Sequence, residues 1–113
     1  MTRTIFVLNG PNLNLLSQRE PEIYGRESLD DIAATMSDHA ASLGVEVDIR
    51  QSNHEGHLID WLQEADRHSA AAVILNAGGY SHTSVAIRDA VAAITVPVIE
   101  VPSAPGLKSS LMP

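Results

Sequence analysis

A parallel α/β sheet is the fold class that the sequence predicts, and three observations predict it. Two short apolar runs, Ile5-Phe6-Val7-Leu8 and Ala70-Ala71-Ala72-Val73-Ile74-Leu75, each break off at an asparagine that opens a turn, Asn9-Gly10-Pro11-Asn12 and Asn76-Ala77-Gly78-Gly79. Runs of this length bounded by turn residues describe buried strands, the second covered on both faces. Between and after them lie segments with one apolar face at helical spacing. Strands thus alternate with helices, and each crossover is expected to be right-handed.

The elements follow in order. After the first strand and its turn, Leu13, Leu15 and Leu16 give one short apolar turn, and Ser17-Gln18-Arg19-Glu20-Pro21-Glu22 reads as a surface loop. Arg19 and Tyr24 lie five residues apart on it. A tyrosine titrates near ~10, too high for a base at neutral pH, but a guanidinium within a few ångströms stabilises the phenolate. The pair is therefore either a general base that assembles when the loop closes, or a packed ring beside a solvated cation.

Ser28-Leu29-Asp30-Asp31 offers a hydroxyl N-cap with a carboxylate three residues on. Leu29, Ile32, Ala33, Met36, Ala40 and Leu43 then form one helix face, and Gly44 supplies the stop. Val45 to Arg50 alternates apolar and polar residues, which predicts a strand with one wet face near a sheet edge, ended by Gln51-Ser52-Asn53. His54-Glu55-Gly56-His57 leads into a helix with Leu58, Ile59, Leu62 and Ala65 and carrying Trp61. Its histidines stand three residues apart, not the four of a zincin helix, and no third ligand is signposted. Capping by Ser52, Asn53 or His54 is the favoured role, and no metal is expected. After Ala70–Leu75, a loop with Ser81-His82-Thr83-Ser84 precedes a helix carrying Val85, Ala86, Ala90, Val91 and Ile94. A Ser or Thr there can cap that helix, whose free N–H groups make a ready anion site. Val96 to Val101 is a fourth strand, with Pro97 tolerated at its beginning.

The 113 residues make one small domain, for which self-association is a natural source of extra stability. A net charge of −7 without a Lys/Arg cluster argues against nucleic acid or an anionic membrane as partner. No apolar run approaches the ~18 residues of a membrane span, and no signal peptide is evident, so a cytoplasmic location is expected. Cysteine is absent, which excludes disulfides and thiolate chemistry. In open parallel sheets ligands bind outside the carboxyl ends of the strands. That rule brings together Asn9 to Asn12, Asn76 to His82 and the residues after Val101. The first loop has no dinucleotide or P-loop pattern, which ranks a generic nucleotide binder last.

The strand followed by GPNLNLL, then an Arg and a Tyr before Gly25, resembles the N-terminus of type II 3-dehydroquinate dehydratase. The resemblance runs on through NHEGHLIDWL and NAGGYSHTSVAIRDA to IEV, covering residues 4 to 101. It implies a flavodoxin-like three-layer sandwich, here a sheet of order 2-1-3-4 with the fifth strand missing. It also implies anti elimination of water from 3-dehydroquinate through an enolate, without metal or organic cofactor, in a homo-oligomer of trimers assembling to a dodecamer. On this resemblance Tyr24 is the base, Arg19 lowers its pKa and Asn12 helps hold the enolate oxygen. Asn76 and His82 bind substrate hydroxyl and carboxylate groups, Asp89 reaches a neighbouring subunit's substrate, and Glu100 orients a catalytic histidine. Read without it, the same residues are turn, cap and surface groups.

The likeness breaks after Val101. The family's histidine acid is replaced by Pro102, its carboxylate-binding serine by Ala104, and a later arginine has no counterpart. The expectation is a domain over 1–101 with an irregular tail over 102–113, arising by truncation or frameshift and leaving the fourth strand an exposed edge. Loss of a general acid lowers rate by ~10²–10⁴. Turnover is therefore expected to be impaired, the alternative being a non-catalytic homologue that binds dehydroquinate-like ligands or joins mixed oligomers.

Overall fold

β1 (Arg3–Asn9), with its apolar run Ile5 to Leu8, lies inside the sheet, hydrogen-bonded on both sides. The structure, a computed structural model, describes residues 3–12, 28–78 and 80–101. β1 runs parallel to β2 (Val45–Gln51) on one side and to β3 (Ala72–Asn76) on the other, with β4 (Val98–Glu100) beyond β3. The order β2-β1-β3-β4 is the one expected. Asn9 stands level with Gln51 across one ladder and with Asn76 across the other, so three strands end in a single row.

Alternation along the strands puts Phe6, Leu8, Val73 and Leu75 on one face. Two helices roof that face. α2 (Glu55–Arg67) contributes Leu58, Leu62 and Ala65, all with no exposed surface, and α4 (Val85–Ala93) contributes Ile87 and Ala90. α1 (Leu29–Ser42) packs on the opposite face against β2, completing three layers. That second face is thinner. Val7 is buried, but Ala72 and Ile74 are only half-buried, so among the described residues β3 is fully covered on one side alone.

The helix ends follow their local chemistry. Ser28 and Asp31 close a reciprocal capping box on α1, the Asp31 N–H donating to Ser28 Oγ at 3.1 Å and the Ser28 N–H to Asp31 Oδ2 at 3.0 Å. Gly44 ends it with φ +76°. Leu43, expected on the apolar face, is the C-cap residue and is 66% exposed, because the helix stops before its turn can face the sheet. On α4 the phase also differs from expectation. Val85 is 73% exposed and Ala86 faces solvent, while Ile87, Ala90, Val91 and Ile94 make the i, i+3, i+4, i+7 stripe that packs on the core. Residues Tyr80–Thr83, expected as loop, form a single helical turn, α3.

β2 is the edge strand its alternation predicts, but its polar face is not wet at Arg50. That guanidinium holds Asp48 through Nε–Oδ1 and Nη2–Oδ2 at 2.9 Å each, and Glu64 of α2 through Nη1–Oε1 at 3.1 Å and Nη2–Oε2 at 2.6 Å. Its carbon lies 4.9 Å from the Phe6 ring centroid and 5.6 Å from that of Trp61. The hydrogen bonds that Arg50 donates hold Glu64 below the usual carboxylate range, and the acceptors Glu64 and Asp48 raise Arg50 further above its ordinary value. A second link joins α2 to the chain entering β4. Asp66 Oδ1 accepts the N–H groups of Thr95 at 2.9 Å and Val96 at 3.2 Å and the Thr95 hydroxyl at 3.1 Å. Those backbone donors depress the Asp66 pKa.

β4 is an outer strand of the sheet described; Ile99 on it is 56% exposed, and Val101 just after it is 40% exposed. Residues 102–113, expected to be an irregular tail, lie outside the described residues. Among those described, no helix is long and apolar enough to cross a membrane.

Candidate functional site at the carboxyl ends of the strands

The row formed by Asn9, Gln51 and Asn76 is tied together by backbone. The Gly10 N–H donates to Asn76 O at 2.7 Å, and the Ser52 N–H to Asn9 O at 2.9 Å. A Cβ on Gly10 would sit 2.4 Å from Ala77 O, closer than any side chain tolerates, so this crossing of the β1 and β3 loops requires glycine. Gly78, at φ +62°, completes the crossing by passing against Pro11. At β4 the Val101 N–H donates to Leu75 O at 2.9 Å, bringing the fourth strand to the same end of the sheet.

Of the residues predicted for the site, Asn76 lies in this row and Asn12 just beyond it on the β1 loop. Asn76 ends β3 with a buried Oδ1 that has no hydrogen-bond partner among the described residues. A buried acceptor left unmade is unfavourable by ~1–3 kcal/mol, which makes it a ready receiver for a donor on a bound molecule. Asn12 lies two residues beyond Gly10, exposed and left-handed at φ +69°. Asp89 is exposed on α4 and Glu100 exposed at the end of β4, beside Leu75. His82 belongs to α3, but its side chain lies outside the described residues, as do Arg19 and Tyr24 entirely.

Sequence reasoning missed what the β2–α2 loop contributes. Asn53 was expected only as a helix cap, yet its Oδ1 accepts the Asn12 N–H at 2.9 Å and Gln51 Nε2 at 3.1 Å, and Gln51 Nε2 also donates to Gly10 O at 3.1 Å. His54 is the N-cap residue of α2 but makes no side-chain cap bond. Ser52, 7% exposed, does the local work instead, accepting the His54 N–H at 3.0 Å and sharing a 2.7 Å hydrogen bond with His57 Nδ1. His57 in turn meets His54 edge-on and stacks on Trp61. The available signal was the run Gln51-Ser52-Asn53 at a strand end, three side chains able both to donate and to accept.

The anion site expected at the start of α4 is already served from within the protein. Ser84 Oγ accepts the Ile87 N–H at 2.9 Å and donates to the Glu55 carboxylate, so an internal carboxylate sits near that helix N-terminus. Among the described residues no group of three or more His, Asp or Glu is placed to hold a metal ion. An open cavity of about 640 Å³ between β2 and α2, lined by Thr4, Phe6, Glu46, Asp48, Glu64 and His68, reaches toward the opposite ends of the strands. Thr4 precedes Asn9 by five residues, a distance of roughly 16 Å along a strand, so this cavity is separate from the asparagine row.

Comparison with known proteins places these features in a family context. The sequence profile described as dehydroquinase class II matches residues 3–104. The 3-dehydroquinate dehydratases of Rhizobium johnstonii and Phenylobacterium zucineum are each 58% identical over 100 residues, spanning 88% of this chain and 68% of theirs. The crystal structure of the type II dehydroquinase from Butyrivibrio crossotus superposes with a TM-score of 0.84 at 42% identity, over 88% of this chain and 69% of its own. The four-stranded parallel sheet of order β2-β1-β3-β4 is the flavodoxin-like α/β arrangement shared with that neighbour.

Proposed function

The chain belongs to the class II dehydroquinase family, and on that premise we propose that its site dehydrates 3-dehydroquinate to 3-dehydroshikimate, with turnover lowered by the proline at position 102. The observation that supports the reading is the buried Asn76 Oδ1, without a partner among the described residues, at the strand ends where the β1 loop carrying Asn12 crosses the β3 loop, in a chain 58% identical to a 3-dehydroquinate dehydratase. The reaction makes the chain a hydro-lyase and uses neither a metal nor an organic cofactor.

Each step assigns one group. Tyr24, with its phenolate stabilised by Arg19, removes the proton beside the ketone, and the electron pair moves onto the ketone oxygen. Asn12 holds that enolate oxygen, where donors aimed at developing charge act most strongly. Asn76 and His82 hold substrate hydroxyl and carboxylate groups, and Asp89 reaches the substrate of a neighbouring subunit. Collapse of the enolate expels hydroxide, which needs a proton to leave as water. Glu100 has the role of orienting a histidine acid, but the position where that histidine would stand is Pro102, which has no side-chain proton to give. Water supplies the proton instead, and the rate falls by ~10²–10⁴. The functional unit is the domain over 1–101, working in the cytoplasm as trimers assembled to a dodecamer.

The test follows the ultraviolet absorbance of the conjugated enone product with wild type, Tyr24→Phe and Pro102→His. Slow turnover in wild type, none in Tyr24→Phe and faster turnover in Pro102→His are expected. If all three are inert while folded, the dehydratase reading fails. Pro102 and Ala104 together favour one second reading, a non-catalytic homologue that binds dehydroquinate-like ligands or joins mixed oligomers. Calorimetric binding of a dehydroquinate analogue without turnover would select it.

A further inference from the structure

We propose that Asn53 is a positioning residue for the reaction, acting through Asn12; the proposal rests on the role given to Asn12 above. Asn12 is not glycine, yet its backbone is left-handed, and it lies exposed beyond the glycine crossing. Left to itself, such a residue relaxes toward commoner backbone regions. What opposes that relaxation comes from 41 residues away along the chain: the Asn53 carboxamide oxygen accepts the Asn12 N–H at 2.9 Å.

The acceptor is itself fixed. Gln51 Nε2 donates to the same oxygen at 3.1 Å and also to Gly10 O at 3.1 Å, so it bridges the loops on either side. The Ser52 N–H pins the start of the loop to Asn9 O, and Ser52 Oγ pins its end through the His54 N–H. The β2–α2 loop thereby acts as a clamp on the β1 loop, and Asn53 is the jaw that closes on Asn12. Its effect belongs to the step in which charge builds on the enolate oxygen, because only there must the Asn12 side chain be held in one direction.

The test compares the wild-type chain with Asn53→Ala, which deletes the acceptor, and Asn53→Asp, which keeps an oxygen in its place. Amide hydrogen exchange at Asn12, read by NMR, is expected to quicken about tenfold in Asn53→Ala, the equilibrium worth of one hydrogen bond, and to return toward wild type in Asn53→Asp. The Ser28 amide, held by Asp31 at the start of α1, serves as the control and should not change. In a Pro102→His background, Asn53→Ala is expected to lower kcat about tenfold with KM nearly constant, the pattern of an interaction made in the transition state, and Asn53→Asp is expected to restore it. Unchanged Asn12 exchange in Asn53→Ala overturns the proposal, as does quickened exchange with undiminished kcat. If no variant turns over, the dehydratase reading fails by itself, and the exchange ratio alone decides whether Asn53 holds Asn12.

Discussion

Gly10→Ala is the smallest change that reaches the centre of the molecule's organisation. The added methyl group would lie 2.4 Å from Ala77 O and 2.6 Å from Ala77 C, and ordinary contact begins at 3.4 Å, so the β1 and β3 loops must part by about 1 Å. Both obstructing atoms are backbone, which no rotamer change can relieve. The same movement stretches the 2.7 Å bond from the Gly10 N–H to Asn76 O beyond useful length. Losing that bond is worth about 1 kcal/mol, and overpacking adds about 1–3 kcal/mol. The expected total of about 2–4 kcal/mol is a melting temperature lower by on the order of 10–20 °C. Urea unfolding followed by circular dichroism should show a lower midpoint at unchanged slope. A variant within about 0.5 kcal/mol of wild type, inside the range of neutral surface substitutions, would refute the claim that these loops cross in contact.

Other outcomes follow from particular contacts. Leu62→Ala removes a side chain with no exposed surface from between α2 and the sheet, and should destabilise by about 3–5 kcal/mol in the same urea experiment; Leu43→Ser, at a residue 66% exposed, should stay within about 0.5 kcal/mol. Ser84→Ala deletes the α4 cap and leaves the Glu55 carboxylate without its donor, so a loss of about 1–2 kcal/mol is expected, most of it retained in Ser84→Gly because glycine also leaves Glu55 unmatched. The folded pKa values of Glu64 and Asp66 lie below their unfolded ones, so both carboxylates contribute stability above about pH 4, and that stability is lost as pH falls through the folded values. Thermal melts from pH 7 to pH 3 should show this loss, and Asp66→Asn should flatten it; an equally steep acid limb in that variant would remove Asp66 from the explanation.

What could be read beforehand was what local chemistry decides. Ser28 with Asp31, the stop at Gly44, and the two apolar runs that break at Asn9 and Asn76 each carry their signal within a few residues. Together with the apolar periodicity of the segments between and after the runs, these gave the element order and the parallel sheet. Arg50 could not be read the same way, because an alternating charge on a strand looks solvated until Glu64 is known to descend on it from α2. The phase of α4 was misjudged for a related reason: Val85 and Ala86 are apolar, but the Ser84 cap sets the rotation of the helix, and that rotation turns Ile87 and not Val85 toward the core.

The candidate site divides along the same line. The location of Asn12 and Asn76 was legible because turn residues at the ends of buried strands must lie at the carboxyl edge of a parallel sheet; the roles proposed for them came from the family resemblance. Asn53 was not, because nothing in Gln51-Ser52-Asn53 distinguishes a strand end from a clamp until the register is known. Register makes the difference: Asn9 level with Gln51 starts the two loops together, and two residues on from Gln51 the Asn53 side chain reaches the N–H of Asn12. A one-residue slip of β2 would turn its alternate side chains to the other face, removing Arg50 from Glu64 and Asn53 from Asn12 together. The ion pair between β2 and α2 therefore does more than hold an edge strand. Arg50 is the residue before Gln51, so the pair favours the register that sets Gln51 level with Asn9 and thereby keeps Asn53 beside Asn12, one step from the row of strand ends.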